Sequence, residues 1–360
     1  MSGTSLDGID VALLRTDGEA SVERGPSRTY AYDDAQRGLL RRAIADAKAM
    51  TGRAERPGCL ADAESALTRW HAQAVQAFCA ENGLKPSQIG LIGFHGQTVL
   101  HRPEARLTVQ LGDGPALARA TAIPVVYDLR AADVAAGGQG APLVPVYHRA
   151  LAEAFSERPM AFVNIGGVAN MTWIGRDGEL VAFDTGPGNA LLNDWCERHL
   201  GEPMDKDGAL AARGHLVAKA FKALVGNPYF EKPVPKSLDR DAFDISSLEG
   251  LSPEDGAMTL VHFTATAIAR NVGHVSERPR LYVICGGGRL NPTLMRVLRG
   301  LLEPLGERLV TAEDVRLDGD AMEAEAWAYL AVRSRKGLAI TYPKTTGAPR
   351  PLSGGVFATP

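Results

Sequence analysis

A single carboxylate lies beside a glycine-rich turn in the stretch Val181-Ala-Phe-Asp-Thr-Gly-Pro-Gly-Asn189. The apolar residues 180–183 predict a strand that ends on Asp184, and apolar positions at i,i+4 spacing predict a helix over 190–200. Ligands of α/β sheets bind where strands end, and the N–H groups of a helix N-terminus favour anions such as phosphate. The pattern therefore predicts phosphoryl transfer, with Asp184 handling a proton. The alternative is a tight structural turn capped by Asp184.

Three further loops are rich in small residues, which lets a backbone present N–H groups to phosphate oxygens. The first is the N-terminal loop Met1-Ser-Gly-Thr-Ser-Leu-Asp-Gly8, which runs into a strand predicted at 10–14. The others are Gly166-Gly167 and Gly286-Gly-Gly288, each of which follows an apolar strand. None is a P-loop, because neither GxxxxGKS nor GxxxxGKT occurs in the chain. A disordered N-terminus and a close helix–strand packing turn at 286–288 are the alternatives.

Polar side chains follow the predicted strands 91–94 and 125–127: His95, Gln97, Arg130 and Asp133. Side chains at strand ends are well placed to hydrogen-bond a polar ligand. For His95, a turn histidine satisfied within the protein is an equal alternative. His101 has no Asp, Cys or second His at metal-ligand spacing, so no metal site is predicted from protein side chains.

Composition limits the classes of function. The chain has 360 residues, which predicts two domains. Its net charge of −3 argues against binding to nucleic acid. No apolar run is long enough to span a membrane, and the N-terminus lacks the pattern of a secretory signal. These features predict a cytoplasmic protein.

Strands and helices alternate along the chain, which is typical of an α/β protein. Three glycines followed by two prolines, in Gly137-Gly-Gln-Gly-Ala-Pro-Leu-Val-Pro145, predict a connection between two domains, either a hinge or a plain loop. The second half then repeats the outline of residues 1–23: small-residue turn, strand, Asp-Gly hairpin, strand. The proline- and glycine-rich last residues predict a loosely held C-terminus.

Six motifs in order carry a resemblance to a known family: Met1-Ser-Gly-Thr-Ser-Leu-Asp-Gly8, His95-Gly-Gln-Thr98, Gly137-Gly-Gln-Gly-Ala-Pro-Leu-Val-Pro145, Asn164-Ile-Gly-Gly167, Asp184-Thr-Gly-Pro-Gly-Asn189 and Cys285-Gly-Gly-Gly288. The whole chain resembles the anhydro-N-acetylmuramic acid kinase family of the actin/sugar-kinase/Hsp70 ATPase superfamily. The resemblance implies an α/β fold of two actin-like (ribonuclease H-like) lobes around a nucleotide cleft. It implies lobes at 1–136 and 137–360. The first would lack its first strand, because members usually carry an apolar strand before the N-terminal loop.

The resemblance implies an ATP-dependent kinase of bacterial peptidoglycan recycling. Such an enzyme hydrolyses the 1,6-anhydro ring of 1,6-anhydro-N-acetylmuramic acid and phosphorylates O6, giving N-acetylmuramic acid 6-phosphate and ADP. ATP with Mg²⁺, a small amino-sugar substrate and a homodimer are implied with it. The alternatives are a same-fold kinase for another sugar and a nucleotide-sensing ATPase module. The chain departs from the family at Lys236-Ser-Leu-Asp-Arg240, where members tend to have Lys-Ser-Thr-Gly-Arg.

The resemblance also implies roles for individual residues. Asp184 matches the family's general base, which takes a proton from the water that attacks C1 as O6 attacks the γ-phosphate. A nucleotide site is implied for Gly3, Thr4, Ser5, Leu6, Asp7, Gly8, Ile9, Asp10, Gly166, Gly167, Gly186, Gly188, Asn189, Gly286, Gly287 and Gly288. A substrate site is implied for His95, Gln97, Arg130, Asp133 and Glu323.

Overall fold

The computed structural model describes residues 1–3, 5–239 and 242–360, so Thr4, Arg240 and Asp241 lie outside the described residues. The strands are β1 Gly8–Thr16, β2 Val22–Ala31, β3 Ile92–Phe94, β4 Gln97–Arg102, β5 Leu107–Leu111, β6 Val125–Tyr127, β7 Met160–Ile165, β8 Val168–Ile174, β9 Leu180–Pro187, β10 Leu281–Cys285, β11 Arg308–Thr311 and β12 Val356–Ala358. The helices are α1 Asp34–Ala47, α2 Leu60–Glu81, α3 Gly114–Thr121, α4 Ala131–Ala135, α5 Pro145–Ala152, α6 Ala190–Leu200, α7 Ala218–Val225, α8 Pro253–Arg270, α9 Pro292–Leu302, α10 Met322–Arg335 and α11 Pro343–Thr346. Among the described residues, no helix has both the length and the apolar character of a membrane span.

The chain forms two compact units. The first comprises Met1–Glu153 and Ala321–Pro360, and the second comprises Ala154–Asp320. The boundary predicted between residues 136 and 137 lies inside the first unit. A single cut cannot separate the units, because α10 returns to pack on β1 and β3. Its Arg333 guanidinium also donates to the Gly18 carbonyl, in the turn after β1, across 2.6 Å.

The first unit carries small sheets covered by helices. β1 and β2 form one antiparallel pair, and β4 and β5 form another. β6 lies between β3, to which it is parallel, and β12, to which it is antiparallel. Leu40 of α1 and Leu60 and Leu67 of α2 are fully buried in the core of this unit. The strands β3 and β6 end next to the polar residues at 95–97 and 130–133, as the sequence predicts.

The C-terminus is held in place, so the predicted loose tail is wrong. β12 pairs with β6, with Val356 opposite Tyr127 and Ala358 opposite Val125. The Ile340 amide also donates to the Leu352 carbonyl across 2.7 Å. The sequence does not reveal this pairing, because a three-residue edge strand is too short to display alternation of apolar and polar residues.

The second unit is built on a five-stranded sheet in the order β9-β8-β7-β10-β11. β7, β8 and β9 form an antiparallel meander, and β10 runs parallel to both β7 and β11. The sheet combines antiparallel and parallel strands with helices along the same chain, and the predicted α/β class is confirmed. Every residue of β10 is buried, which agrees with its continuous apolar run.

The strand that carries Asp184 is longer than predicted. β9 continues through Thr185 to Pro187, and Asp184 pairs with Asn170 of β8. The prediction that the strand ends on Asp184 is therefore wrong. A register shift between Ala169 and Asn170 lets the ladder continue past the carboxylate, and a shift of this kind has no signature in the sequence of one strand. The helix α6 begins at Ala190 and ends at Leu200, as predicted.

Candidate active site

Asp184 is held from three directions. Its Oδ2 accepts a hydrogen bond from the Leu238 amide at 2.8 Å, and its own amide donates to the Lys236 carbonyl at 3.0 Å. The Tyr229 hydroxyl donates to the Asp184 carbonyl at 2.6 Å. The side chain is half-buried, so it is fixed in place and still reachable from solvent.

The electrostatic surroundings of Asp184 suit proton transfer. Desolvation raises the pKa of the Asp184 carboxyl from 3.8 to about 6. The Leu238 amide opposes this rise, and the negative charge of Asp239 adds to it. A carboxylate with a pKa near neutrality is ionised at pH 7 and is also basic enough to accept a proton during a reaction. The geometry and the pKa of Asp184 thus both fit a general base.

Four glycines near Asp184 are required by packing within the protein. A Cβ on Gly188 would collide with the Gly166 carbonyl, and one on Gly288 would collide with the Ile165 side chain. A Cβ on Gly186 would lie 2.6 Å from the Ala267 methyl group. Gly286 has φ of +73°, and a Cβ there would lie 2.8 Å from the Ile165 carbonyl oxygen. Packing within the protein is therefore enough to explain why glycine occupies these four positions.

Three other glycines would accept a Cβ at ordinary van der Waals distances. The nearest atom to a Cβ on Gly166, Gly167 or Gly287 would lie 3.6, 3.7 and 3.8 Å away, respectively. On Gly167 that atom belongs to Ala190, and on Gly287 it belongs to Asn189, so both glycines lie beside the start of α6. Packing does not require glycine here, and a ligand could approach this backbone closely. These three glycines are the strongest candidates for a nucleotide contact in the second unit.

The amides at the start of α6 already have partners in the protein. The Asn189 amide donates to the Gly166 carbonyl at 2.7 Å, and the Gly188 amide donates to the Gly167 carbonyl at 2.9 Å. The Asn189 side chain donates to the Ile165 carbonyl at 3.1 Å. These bonds join the two glycine turns to each other, so Gly188 and Asn189 shape the candidate site and keep its backbone in place.

In the first unit, the N-terminal loop has buried and exposed positions. Leu6 is buried with φ of +60°, and a Cβ on Gly8 would lie 2.5 Å from the Tyr30 carbonyl oxygen. Ser5 and Asp7 are exposed, and Gly3 is half-buried, with Ser5 Oγ 3.7 Å from where a Cβ on it would be. The predicted contact at Thr4 lies outside the described residues. Leu6 and Gly8 therefore set the shape of the loop, and Gly3, Ser5 and Asp7 are its accessible members.

The strand that follows this loop contributes the last two residues of the predicted nucleotide site. Ile9 is buried and belongs to the core of the first unit. Asp10 is half-buried, and its Oδ1 accepts a hydrogen bond from the Thr29 hydroxyl at 2.6 Å. Of the two, Asp10 is the residue with a group that a ligand or metal could contact.

Ser2 connects the N-terminal loop to the predicted substrate residues. It is fully buried, and its hydroxyl donates to Gln97 Oε1 at 2.6 Å and accepts from the Tyr32 hydroxyl at 2.9 Å. Its carbonyl lies 3.0 Å from Nδ1 of His95. Sequence reasoning missed Ser2, although its place inside the first motif is a usable signal. The loop and the 95–97 turn are thus parts of one hydrogen-bonded structure.

His95 is neutral, and each of its ring nitrogens has a hydrogen-bond partner. Nδ1 faces two carbonyl oxygens, those of Ser2 and Gly96, so it must carry the proton. Nε2 is left to accept from Arg130, whose Nη2 is 3.3 Å away. Burial, assisted by the Arg130 cation, lowers the pKa of His95 well below 6.5. The structure therefore places His95 where it orients Arg130.

Arg130 and Asp133 surround the glycine-rich loop before α5. The Arg130 guanidinium donates to the Gly140 carbonyl at 2.8 Å and lies over the Trp327 ring. The Asp133 carboxylate accepts from the Gly140 amide at 2.6 Å and from the Thr346 hydroxyl at 2.7 Å. Desolvation lowers the pKa of Arg130 to about 10, so it remains a cation at neutral pH. Asp133 is buried and positions the loop, and Arg130 offers the positive charge.

Comparisons with known proteins agree with these motifs. A family model described as anhydro-N-acetylmuramic acid kinase matches residues 1–359. The chain is 52% identical to the anhydro-N-acetylmuramic acid kinase of Rhizobium johnstonii, over 100% of this chain and 97% of that protein. The enzymes of that name from Agrobacterium fabrum and Bradyrhizobium diazoefficiens are 51% and 52% identical. They align over 99% and 100% of this chain and 96% and 98% of their own lengths.

The chain belongs to the anhydro-N-acetylmuramic acid kinase family.

In this member of the anhydro-N-acetylmuramic acid kinase family, the segment that departs from the family pattern touches Asp184. Leu238 supplies the amide that Asp184 accepts from, and Asp239 raises the pKa of the carboxyl. Sequence reasoning did not assign these residues to the site. The departure itself is the signal that could have directed attention to them.

The chemistry of the described residues also limits how Mg²⁺ could bind. No group of three His, Cys, Asp or Glu side chains arranged for a metal occurs in the described part of the chain. Mg²⁺ usually keeps several waters and binds through one or two carboxylates together with substrate phosphates. Asp10 is a carboxylate beside the N-terminal loop, and Glu323 is exposed at the start of α10. The first unit therefore fits a Mg²⁺ ion bound mainly by nucleotide phosphates.

Proposed function

We propose that this chain is an ATP-dependent kinase for 1,6-anhydro-N-acetylmuramic acid, acting in peptidoglycan recycling. It hydrolyses the 1,6-anhydro ring and phosphorylates O6, releasing N-acetylmuramic acid 6-phosphate and ADP. The observation that carries the proposal is Asp184, a fixed, half-buried carboxylate whose pKa is raised to about 6. The full-length similarity to enzymes of this name supports the choice of substrate.

Asp184 acts as the general base for a water molecule. The water oxygen bonds to C1 of the sugar as the bond between C1 and O6 breaks, and O6 bonds to the γ-phosphorus as the bond from that phosphorus to the leaving ADP oxygen breaks. The proton lost by the water goes to the Asp184 carboxylate. General base catalysis of this kind typically contributes ~10²–10⁴ in rate. A turn or cap would not need a raised pKa at this position.

The nucleotide is proposed to lie along glycine backbone. In the second unit, Gly166, Gly167 and Gly287 offer backbone without obstructing side chains. In the first unit, the loop from Gly3 to Asp10 offers its accessible residues to phosphate oxygens. Mg²⁺ would supply positive charge to the phosphates, and Asp10 is the carboxylate of this loop that would hold it.

Among the proposed substrate residues, Arg130 is the cation, and His95 and Asp133 position it and its loop. Arg130 offers this charge to an anionic group. Gln97 is buried and engaged with Ser2, so it supports the N-terminal loop as well. Glu323 is exposed, which leaves its carboxylate available to sugar hydroxyls.

Location and assembly are proposed from the chemistry and from the family. The reaction consumes ATP, so we propose that the enzyme works in the cytoplasm, where ATP is supplied. We also propose a homodimer, which sedimentation or light scattering of the purified chain would test.

The direct test is release of ADP by the purified chain with and without 1,6-anhydro-N-acetylmuramic acid. The proposal expects release that depends on this sugar, and N-acetylmuramic acid 6-phosphate as the product by mass spectrometry. Release that responds only to a different sugar would indicate a same-fold kinase of other specificity. Sugar-independent release would indicate an ATPase module and would contradict the proposal.

A further inference from the structure

One lysine near Asp184 is buried although its type is normally exposed. Lys236 is 8% exposed, and desolvation lowers the pKa of its ammonium to about 8. Lysine is almost never fully buried unless it is paired. Its place in the sequence, two residues before the amide that contacts Asp184, gives it a defined geometric relation to the candidate base.

The Lys236 ammonium is enclosed by acceptors and aromatic faces. Nζ lies 3.3 Å from the carbonyl oxygen of Phe230, which accepts from it, and 3.0 Å from Nε2 of His274, which itself lies 3.1 Å from the same carbonyl oxygen. The ring centres of Tyr229 and Phe183 lie 4.8 and 5.8 Å from Nζ. Aromatic faces attract a desolvated ammonium group through the negative charge of the ring face. These contacts fix the far end of the side chain near Phe183, which lies next to Asp184 in β9.

The same residues also touch the backbone of Asp184. The Lys236 carbonyl accepts from the Asp184 amide, and Tyr229, whose ring faces the ammonium, donates its hydroxyl to the Asp184 carbonyl. Two residues of chain span at most about 7 Å, so fixing Lys236 confines the Leu238 amide to a small volume. That amide is the described hydrogen-bond donor to the Asp184 carboxylate.

We infer that Lys236 is a positioning residue, whose ammonium anchors the segment that presents the Leu238 amide to the Asp184 carboxylate. Lys236 does not touch the reacting atoms; it acts through Leu238 and the orientation of Asp184. This inference rests on the proposed function, in which Asp184 is the base. It assigns a use to a buried cation that the reaction does not otherwise need.

The charged and titratable groups around Asp184 and Lys236 determine which control variant is suitable. Asp239 and Tyr229 face Asp184, and the groups that face Lys236 are Glu231, Lys232, Arg270 and His274. Lys232 is exposed, with Nζ 5.7 Å from the ring centre of Tyr229, so Lys232→Met removes a nearby positive charge without removing the anchor. It is the matched control for Lys236→Met.

Two variants test the inference by different routes. Lys236→Met keeps the apolar stem and removes the ammonium, and Leu238→Pro removes the amide hydrogen itself. Because the Leu238 amide favours the ionised carboxylate, each variant should raise the pKa of Asp184. We expect kcat to fall about 10- to 100-fold in both, with the KM for ATP changed by less than about twofold and the acid limb of the pH–rate profile moved to higher pH.

The pKa of Asp184 can also be read without activity. In protein labelled with ¹³C at the aspartate carboxyl, the Asp184 resonance is the one that disappears in Asp184→Asn. Its titration should move to higher pH in Lys236→Met and in Leu238→Pro, and should stay unchanged in Lys232→Met. Melting curves and ATP binding show that each variant is folded.

The outcomes separate this inference from the proposed function. If the parent chain shows no sugar-dependent release of ADP, the proposed function fails, and the carbon titration still tests the anchor. If the parent is active and folded Lys236→Met keeps both its kcat and the parental titration of Asp184, the positioning role is overturned. If Leu238→Pro moves the titration of Asp184 and Lys236→Met does not, the Leu238 amide sets the pKa of Asp184 but the Lys236 ammonium does not anchor that amide. This result also overturns the positioning role.

Discussion

Nδ1 of His95 donates to the carbonyl oxygen of Ser2 across 3.0 Å, which ties the N-terminal loop to the turn after β3. Nε2 of the same ring accepts from Arg130, so the histidine joins a candidate phosphate loop to a candidate substrate cation. We expect His95→Ala to lower the free energy of unfolding by about 1–3 kcal/mol, because the hydrogen-bonding groups it leaves are buried. The KM for ATP should rise as the loop loosens.

Urea unfolding and steady-state kinetics measure these two effects. His101→Ala is the control, because His101 is exposed and its Nδ1 contacts the Thr108 hydroxyl. If His95→Ala were as stable as the parent and bound ATP as well, the ring would not be the connection that its contacts indicate.

Protonation of buried histidines should make the fold sensitive to acid. Burial lowers the pKa of His71 and of His148 to about 3, and that of His95 lies well below 6.5. Below pH 6.5 the unfolded chain binds up to three protons that these residues exclude in the native state. Asp184 acts in the opposite direction, since its pKa of about 6 lets the native state bind one more proton.

For these four groups the net difference is two protons, which lowers the free energy of unfolding by up to about 2.7 kcal/mol per pH unit below pH 6.5. Urea unfolding at pH 7.5, 6.5 and 5.5 measures the slope. A folded His148→Gln variant should show a shallower slope. Equal stability at the three pH values would mean that these histidines are not kept neutral by the fold.

Two adjacent glycines should respond differently to the same substitution. Gly286→Ala introduces a Cβ close to the Ile165 carbonyl at a φ of +73°, so we expect it to destabilise the second unit by about 1–3 kcal/mol. Gly287→Ala places its Cβ at an ordinary contact distance of 3.8 Å from the Asn189 side chain, so the melting temperature should stay near that of the parent. Its KM for ATP should rise if the nucleotide lies against this backbone.

Thermal melting and ATP titration of the two variants distinguish packing from binding. Each variant serves as the control for the other, since the change in side chain is identical. A Gly287→Ala enzyme with unaltered ATP affinity would remove Gly287 from the proposed nucleotide site.

The sequence specifies local structure well where periodicity is strong. The helix α6 has the predicted bounds, because it presents apolar residues at helical spacing over several turns. The buried strand β10 was equally clear from its continuous apolar run. The end of β9 could not be predicted, because its continuation depends on a register shift in its pairing with β8.

Contacts between residues that are far apart in the sequence limit how much of the candidate site could be predicted. Asp184 could be selected from its own surroundings in the sequence, but its contacts with Leu238, Lys236 and Tyr229 come from a segment without regular periodicity. Similarly, the sequence could not distinguish glycines required by packing from glycines that would accept a Cβ. That distinction needs the position of carbonyls such as that of Ile165.

The pKa of Asp184 predicts the acid side of the pH dependence. A general base works only when it is ionised, so kcat/KM should fall about tenfold per pH unit below pH 6. Rates of ADP release in the presence of the sugar, measured from pH 5 to pH 8, give the profile. A rate that stays constant down to pH 5 would exclude a base with this pKa.

The most direct measurement of the central claim is the turnover of Asp184→Asn. Asparagine keeps the shape of the side chain and an oxygen that can accept from the Leu238 amide, and it removes the basic carboxylate. We predict that sugar-dependent release of ADP falls by about 10²–10⁴ while ATP binding and the melting temperature stay close to those of the parent. Turnover at the parental rate in this variant would contradict the assignment of Asp184 as the base.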